Sequence, residues 1–85
     1  MSNFEGQVAI VTGGANGIGK ATAELLSDLG AKVIAFDCEQ PVGKSGVENV
    51  TIDLGNLPSL EVAVSNVIKK YGRIDVLVNV AGVSM

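Results

Sequence analysis

The sequence predicts an α/β fold in which four parallel strands alternate with helices. Short, almost wholly aliphatic runs indicate strands buried on both faces, which is typical of a parallel sheet. Two longer segments carry apolar residues at helical spacing. The order strand, helix, strand, loop, strand, helix, strand favours right-handed crossovers, and residues 1–85 are expected to be the N-terminal part of one domain, truncated after the fourth strand.

The first strand is predicted at Gln7–Thr12, where a Val/Ile/Ala run ends in glycines. A helix follows from Ile18, and Gly30 is placed to end it. The second strand is predicted at Lys32–Asp37. The apolar stripe predicted for the helix consists of Ile18, Ala21, Leu25, Leu26 and Leu29.

The next twelve residues, Cys38–Asn49, predict a loop or a single turn in place of a crossover helix. They contain Pro41 and two glycines and show no helical period. Their length just meets the dozen or so residues that a parallel crossover needs. A short third strand is predicted at Val50–Asp53.

The second helix has signals at both ends. Asn56 is a candidate N-cap, Pro58 is tolerated in the first turn, and Gly72 is placed to end the helix. The fourth strand and the start of the following loop are predicted at Ile74–Gly82, with Asp75 serving the start of that strand. The predicted apolar stripe consists of Leu60, Ala63, Val64, Val67, Ile68 and Tyr71.

Composition narrows the class of protein. Apolar residues make up 47% of the chain and aromatic residues only 4%, which predicts an aliphatic core. The net charge is −3, and the only basic cluster is at positions 69–73, so nucleic acid and membrane are poor partner candidates. The single cysteine, Cys38, and the polar start of the sequence predict a cytoplasmic location.

The segment GGANGIGKAT, Gly13–Thr22, fits two kinds of phosphate-binding loop. The loop of ATP- and GTP-binding proteins needs Ser or Thr directly after its lysine to hold Mg²⁺. Here Ala21 follows Lys20, and Thr22 would point about 100° away around the helix. We therefore expect neither ATP with Mg²⁺ nor another metal as the working ligand.

A dinucleotide-binding loop needs an acidic residue at the end of the second strand, about 20 residues on. Asp37 stands eighteen residues after Gly19. The loop glycines would let the backbone and the helix N-terminus approach a pyrophosphate. The combination of strand, loop, helix and acidic residue favours a dinucleotide over ATP.

With these residues in place, the chain resembles the short-chain dehydrogenase/reductases. Thr12–Gly19 resembles their T-G-x-x-x-G-I-G loop, and Asp53-Leu54 resembles their acidic pair after the third strand. Asn79–Gly82 resembles their N-N-A-G motif, with Val80 in place of the second Asn. Four motifs in family order cover essentially the whole chain.

The resemblance implies a partial Rossmann-like sheet of strand order 3-2-1-4 that binds NAD. It implies that the carboxylate of Asp53 meets the adenine amino group and that Cys38 is inert or lines the adenine site. The cofactor-binding residues that follow from it are Thr12, Gly13, Asn16, Gly17, Ile18, Gly19, Asp37, Cys38, Asp53, Leu54, Asn79, Ala81 and Gly82.

Structural roles remain open for several of these residues. The loop glycines could simply form a tight turn between strand and helix, and Asn16 could be a turn residue that tolerates left-handed geometry. Asp37 could be an exposed strand-end carboxylate, and Asp53 could be a turn former. Asn79 is interpreted as structural first, pairing backbone groups beside the cofactor.

The family's chemistry resembles hydride transfer assisted by a Ser and a Tyr-x-x-x-Lys pair. The only tyrosine here, Tyr71, is followed four residues on by Asp75 and lies on the apolar stripe, so we expect it in the core. No catalytic residue is therefore assigned, and the chain looks like the N-terminal third of such an enzyme.

Three hypotheses follow for the function of the chain. It is the cofactor-binding part of an NAD-dependent oxidoreductase acting on an alcohol or carbonyl substrate, a non-enzymatic nucleotide-binding module, or a decayed remnant. The apolar fourth strand is expected to be an edge and to promote self-association or docking onto another chain.

Overall fold

The computed structural model describes residues 4–13, 17–39 and 46–80. Parallel pairing joins all the neighbouring strands, in the order β3-β2-β1-β4. This arrangement confirms the predicted α/β fold and strand order. The elements within these ranges are β1 (Val8–Thr12), α1 (Gly17–Asp28), β2 (Lys32–Asp37), β3 (Glu48–Thr51), α2 (Leu57–Tyr71) and β4 (Val76–Asn79).

The two central strands, β1 and β2, form the core with one helix on each face of the sheet. Side chains of a strand alternate between the two faces, so each helix meets every second residue. The buried cluster on the α2 side consists of Val8, Ile10, Ile34, Phe36, Ala63 and Val67. The buried cluster on the α1 side consists of Ala9, Val11, Ala23, Leu26, Ala31 and Val33.

The predicted apolar stripe of α1 is wrong at three of its positions. Ile18 and Leu25 are 66% and 58% exposed, and Ala21 is exposed as well. The residues that α1 buries are Gly19, Ala23 and Leu26. Two of these three side chains are very small, so they favour close packing of the helix on the sheet. Because Ile and Leu are more hydrophobic than Gly and Ala, a prediction from hydrophobicity alone assigns the wrong face of α1 to the core.

The prediction that Gly30 ends α1 is confirmed. Gly30 has a φ of 104°, in the left-handed region that favours glycine. Its N–H donates to the carbonyl of Ser27, and the N–H of Ala31 donates to the carbonyl of Leu26, both at 3.0 Å. These two hydrogen bonds satisfy carbonyls that the helix end would otherwise leave unpaired.

Both predicted ends of α2 are confirmed. The side chain of Asn56 accepts a hydrogen bond from the N–H of Ser59 at 3.2 Å. Gly72 has a φ of 80°, and its N–H donates to the carbonyl of Ile68 at 2.8 Å. The helix buries Ala63 and Val67 as predicted.

Two residues of the predicted α2 stripe depart from the expected burial. Ile68 is 50% exposed. The ring of Tyr71 packs against the core, but its hydroxyl donates to Glu48 Oε1 at 2.5 Å. Tyr71 therefore lies at the boundary of the core and anchors β3 to α2.

Strand β3 begins and ends two residues earlier than predicted, at Glu48–Thr51 rather than Val50–Asp53. Its last residue pairs with Asp37, where β2 also ends, so no partner strand continues beside Asp53. At the other end, Glu48 pairs with Ile34 of β2, so the strand begins at Glu48. Of the predicted loop, residues 40–45, which include Pro41, lie outside the described residues.

Asp75 serves the start of a strand, as predicted, by joining β4 to β1. Its carboxylate accepts the N–H of Val8 at 2.8 Å, and its own N–H donates to the carbonyl of Val8 at 2.8 Å. Arg73 holds both oxygens of the carboxylate, with Nη2 at 2.6 Å from Oδ1 and Nε at 2.8 Å from Oδ2. These contacts align the first residues of both strands.

We expect Asn56→Ala to lower the free energy of unfolding by about 1 kcal/mol, because it removes the N-cap of α2. The matched control is Asn66→Ala, at an exposed position in the middle of the same helix. The control should be neutral or slightly stabilising, because Ala is the better helix former. Urea unfolding measures both, and equal effects would contradict the capping role.

Asp75 should make the free energy of unfolding depend on pH in the acidic range. Hydrogen bonds from Arg73 first, and from the N–H of Val8 second, hold the pKa of Asp75 below its ordinary value of 3.8. The contribution of Asp75 to the free energy of unfolding is therefore fully present above the ordinary pKa. It is lost as the pH falls through the lower pKa of the folded state.

Thermal unfolding should be measured at about pH 6 and about pH 2, which lie on either side of the ordinary pKa of Asp. Asp75→Asn should lower the melting temperature most at the higher pH. The difference from the parent chain should shrink at the lower pH. Glu61→Gln, on the exposed face of α2, is the control and should leave the parent curve nearly unchanged. A difference for Asp75→Asn that is constant with pH would contradict the assignment.

Candidate cofactor-binding site

The carboxyl edge of the sheet brings together residues from three predicted motifs. Thr12 ends β1 and is paired with Asn79 at the end of β4. Asp37 ends β2, the strand on the other side of β1. Because parallel strands end at the same edge, the glycine motif, the acidic residue and the Asn motif become neighbours there.

The turn from β1 into α1 depends on two glycines. Gly13 and Gly17 have φ values of 78° and 60°, which side chains with a Cβ rarely adopt. The N–H of Gly13 donates to the carbonyl of Phe36 at 2.8 Å, so the turn is tied to β2 next to Asp37. A Cβ at Gly17 would meet none of the described atoms within 4 Å, so it is the left-handed φ rather than crowding that favours glycine there.

The helix N-terminus at this turn favours anions. α1 begins at Gly17, and its first turn contains no acidic side chain. The N–H groups of a first helical turn lack partners within the helix, and the helix dipole adds partial positive charge there. Gly19 is buried, and Ile18 is largely exposed beside the helix start. Asn16, another predicted site residue, lies outside the described residues.

Asp37 is half-buried and has a local hydrogen bond. Its Oδ1 accepts the N–H of Glu39 at 3.1 Å, which fixes the direction of the carboxylate at the end of β2. Cys38 follows and is exposed. Hydrogen bonding to Asp37, followed by desolvation and nearby negative charge, raises the pKa of the Cys38 thiol above 9.0. The raised pKa favours the neutral thiol over the thiolate, which disfavours a nucleophilic role for Cys38.

Asp53 forms a turn, which is the structural alternative that its sequence context left open. Its Oδ1 accepts the N–H of Gly55 at 2.9 Å, and its carbonyl accepts the N–H of Asn56 at 2.9 Å. The next residue, Leu54, packs against the α2-side core. Asp53 itself is exposed, so its contact with an adenine stays a prediction.

Thr12 and Asn79 form a side-chain pair that the sequence did not reveal. Thr12 Oγ1 donates to Asn79 Oδ1 at 2.7 Å, and the N–H of Val80 donates to the carbonyl of Thr12 at 3.1 Å. Asn79 therefore joins β1 and β4 through a side-chain contact, whereas its interpretation from the sequence, the pairing of backbone groups beside a cofactor, stays a prediction. Ala81 and Gly82, the rest of that motif, lie outside the described residues.

A cavity of about 540 Å³ extends from this edge between α2 and the exposed face of β4. It is mainly apolar and contains no ionisable side chain, so it offers no acid–base chemistry. Leu77, 66% exposed, lies in its wall. The lining residues are Ile10, Thr12, Phe36, Leu54, Gly55, Leu60, Val64, Ile74, Leu77 and Asn79. We call it the α2–β4 groove.

Tyr71 lies at the opposite, amino edge of the sheet. Its hydroxyl is bonded to Glu48, the first residue of β3, and Lys32, the first residue of β2, is 3.7 Å from the same carboxylate oxygen. Among the described residues, no His, Cys, Asp or Glu cluster could hold a metal ion. Neither described helix is long and apolar enough to cross a membrane.

Comparisons with known proteins agree with this geometry. Secoisolariciresinol dehydrogenase of Forsythia intermedia is 40% identical over 95% of this chain and 32% of its own length. A 3-oxoacyl-[acyl-carrier-protein] reductase of Vibrio cholerae is 38% identical over 96% of this chain and 36% of its own length. The chain thus spans about a third of these relatives.

A similar fold occurs in solved structures. The ligand-free aldohexose dehydrogenase of Thermoplasma acidophilum superposes with a TM-score of 0.86 at 33% identity, over 99% of this chain and 36% of that one. The family model for short chain dehydrogenases matches residues 7–85, which include every motif described above. The chain therefore belongs to the short-chain dehydrogenase family.

Proposed function

We propose that the chain binds NAD(H) through its adenosine and pyrophosphate groups and serves as the cofactor-binding part of an oxidoreductase. The observation that carries this proposal is the hydrogen bond from Gly13 N–H to the carbonyl of Phe36. It joins Gly13 to Phe36, the residue before Asp37, which supports a common site for the glycine loop and Asp37. A pyrophosphate at the start of α1 and a ribose at Asp37 are then within the span of one dinucleotide.

The local geometry fits a nucleotide. The two left-handed glycines, Gly13 and Gly17, carry no side chain that would keep a phosphate away from the backbone. Asp37 offers carboxylate oxygens to a ribose diol. Thr12 and Asn79 are hydrogen-bonded to each other and form the boundary of the proposed site on the β4 side.

NAD(H) is favoured over NADP(H) by the charges at the ribose position. Each hydrogen bond from the ribose diol to the Asp37 carboxylate would contribute roughly 1.5–3 kcal/mol. A 2′-phosphate would face that carboxylate, at a cost of several kcal/mol. No Lys or Arg occurs at positions 15, 16 or 38 to compensate.

The chemical role of these residues is binding and orientation. A bound nicotinamide cofactor would supply hydride transfer to or from an alcohol or carbonyl substrate, and the residues described here would hold its adenosine and pyrophosphate groups. Tyr71 bonds Glu48 at the other edge of the sheet, which supports the view that it does not move a proton in that reaction. We therefore propose that the acid–base residues of the activity belong to sequence beyond these 85 residues.

A second candidate function is that of a nucleotide-binding module that works by association with another chain. The observation that favours it is that β4 is the last strand of the sheet among the described residues, with Leu77 exposed in the wall of the α2–β4 groove. We propose that this edge takes a further strand, either from a longer chain or through self-association. The cytoplasm suits both candidates, because Cys38 is a free, exposed thiol.

Asp37→Ala should narrow the preference for NAD(H) over NADP(H). Calorimetric or fluorescence titration of both cofactors should show tighter binding of NAD(H) by the parent chain. The variant should lose affinity for NAD(H) and lose less, or gain, for NADP(H). Asp28→Ala, an exposed carboxylate at the end of α1, is the matched control and should bind as the parent does. Equal or tighter binding of NADP(H) by the parent would overturn the assignment.

The 85-residue chain alone should show no dehydrogenase activity with NAD(H) and simple alcohols or ketones. A positioned acid or base contributes typically 10²- to 10⁴-fold to such reactions, and no described residue at the carboxyl edge fills that role. Absorbance of NADH at the usual wavelength measures turnover, with a full-length family enzyme as the positive control. Turnover that survives Tyr71→Phe but not Asp37→Ala would show an unassigned catalytic group at this edge.

A further inference from the structure

Strand β3 is held in the sheet by few contacts. Among the described residues it pairs with β2 alone, so one side of its backbone has no partner strand. Glu48 and Val50 are half-buried on the face toward α2. Asn49 and Thr51 are exposed on the opposite face. A short strand with one partner and one covered face has low local stability unless further contacts hold it.

Glu48 provides such contacts at the amino end of β3. Its Oε1 accepts hydrogen bonds from the hydroxyl of Tyr71 at 2.5 Å and from Nζ of Lys70 at 3.2 Å. Nζ of Lys32 lies 3.7 Å from the same oxygen. Lys32 begins β2, and Lys70 and Tyr71 end α2, so one oxygen joins β3 to two other elements.

These contacts differ in strength. The side chains of Lys32 and Lys70 are 43% and 62% exposed, so water and salt weaken their attraction to Glu48. The ring of Tyr71 packs against the core, and its hydroxyl donates to a charged acceptor, which makes this hydrogen bond the stronger contact. The Tyr71 hydroxyl, more than the lysines, holds the pKa of Glu48 below its ordinary value of 4.5, although burial opposes this shift. The lowered pKa favours the carboxylate.

The carboxyl end of β3 contacts the residue that we propose as the ribose ligand. Thr51 pairs with Asp37, and the N–H of Ile52 donates to the carbonyl of Asp37 at 2.8 Å. The carbonyl of the preceding residue, Phe36, accepts the N–H of Gly13 from the β1 side. The end of β2 is therefore held on one side through Gly13 and on the other through Ile52.

We propose that Glu48 is a positioning residue for the cofactor site, because it holds β3 in register beside β2 and thereby lets Ile52 fix the backbone of Asp37. The inference rests on the proposed function in taking Asp37 as the ribose ligand. Glu48 and Ile52 are roughly 13 Å apart along an extended strand. Extended backbone cannot stretch further, and Val50 and Ile52 pack against the α2-side core, so a shift at one end moves the other.

The consequence for binding is a contribution of Glu48 to the preference for NAD(H). A displaced Asp37 carboxylate would bind the ribose diol less well, because hydrogen bonds weaken steeply when their geometry is poor. A 2′-phosphate gains nothing from that carboxylate, so NADP(H) should lose less affinity. Glu48 would therefore affect the cofactor site from the opposite edge of the sheet.

Amide hydrogen exchange of the 85-residue chain, measured by NMR without cofactor, tests the link between Glu48 and Asp37. Glu48→Ala should raise the exchange rate of the Ile52 N–H about fivefold or more, because a charged hydrogen-bond partner is lost. The Gly13 N–H, bonded on the other side of β2, is the internal control and should change less. A general loss of stability would raise both rates alike. Equal changes, or no change at Ile52, would overturn the proposal.

Further variants identify the contact that matters. Tyr71→Phe removes the hydroxyl and should also raise the exchange rate at Ile52. Glu48→Gln can still accept that hydroxyl and should retain most of the parent behaviour. Glu61→Ala, at an exposed position on α2, is the matched control and should behave as the parent chain does. Circular dichroism confirms that each variant is folded. An effect of Glu61→Ala as large as that of Glu48→Ala would contradict the assignment.

Cofactor titration of the same folded variants separates this inference from the proposed function. Glu48→Ala should raise the dissociation constant for NAD(H) about three- to tenfold and should change that for NADP(H) less. Faster exchange at Ile52 with an unchanged ratio of the two affinities would contradict the positioning role. If the parent chain binds neither cofactor, the proposed function is wrong, whereas the exchange rates still decide whether Glu48 fixes the backbone of Asp37.

Discussion

The parallel pairing of β1 with both β2 and β4 is the constraint on which the rest of the structure depends. β1 is buried on both faces and hydrogen-bonded on both sides, and Val8–Val11 are at most 4% exposed. Burial of a Val or Ile side chain contributes about 1.5–3 kcal/mol, so this strand is a large part of a small core. Because Thr12 leads directly into Gly13, the pairing that builds the core also fixes the position of the glycine turn.

The features predicted correctly from the sequence depend on local chemistry. The range of β2, the ends of both helices and the role of Asp75 each follow from a few adjacent residues. Aliphatic runs need burial on both faces, and Asn56, Gly30 and Gly72 match the backbone geometry of helix ends. The predictions were wrong where the structure depends on contacts between residues that are distant in the sequence. Ile34 and Asp37 set the limits of β3, and the α1 face follows from how closely Ala23 can approach the sheet.

The candidate site shows the same division. Spacing along the chain was sufficient to select the glycine loop and Asp37, because one strand–helix–strand unit carries both. The pair of Thr12 and Asn79 joins residues 67 positions apart and exists only because β4 lies next to β1. The α2–β4 groove is likewise visible only once α2 is known to cover β1 and β2 while leaving the face of β4 exposed. Neither feature has a periodicity or a motif of its own.

β4 connects the two surfaces for which we propose roles. Its last residue, Asn79, is bonded to Thr12 at the carboxyl edge, while Leu77, two residues earlier, lies in the wall of the α2–β4 groove. A strand paired on both sides is better ordered than an edge strand, so the further strand that we propose beside β4 would also restrain Asn79 and its hydrogen bond to Thr12. Binding equilibria that share one ordered element are coupled reciprocally. A nucleotide at the carboxyl edge should therefore favour pairing along β4, to the same degree that pairing favours the nucleotide.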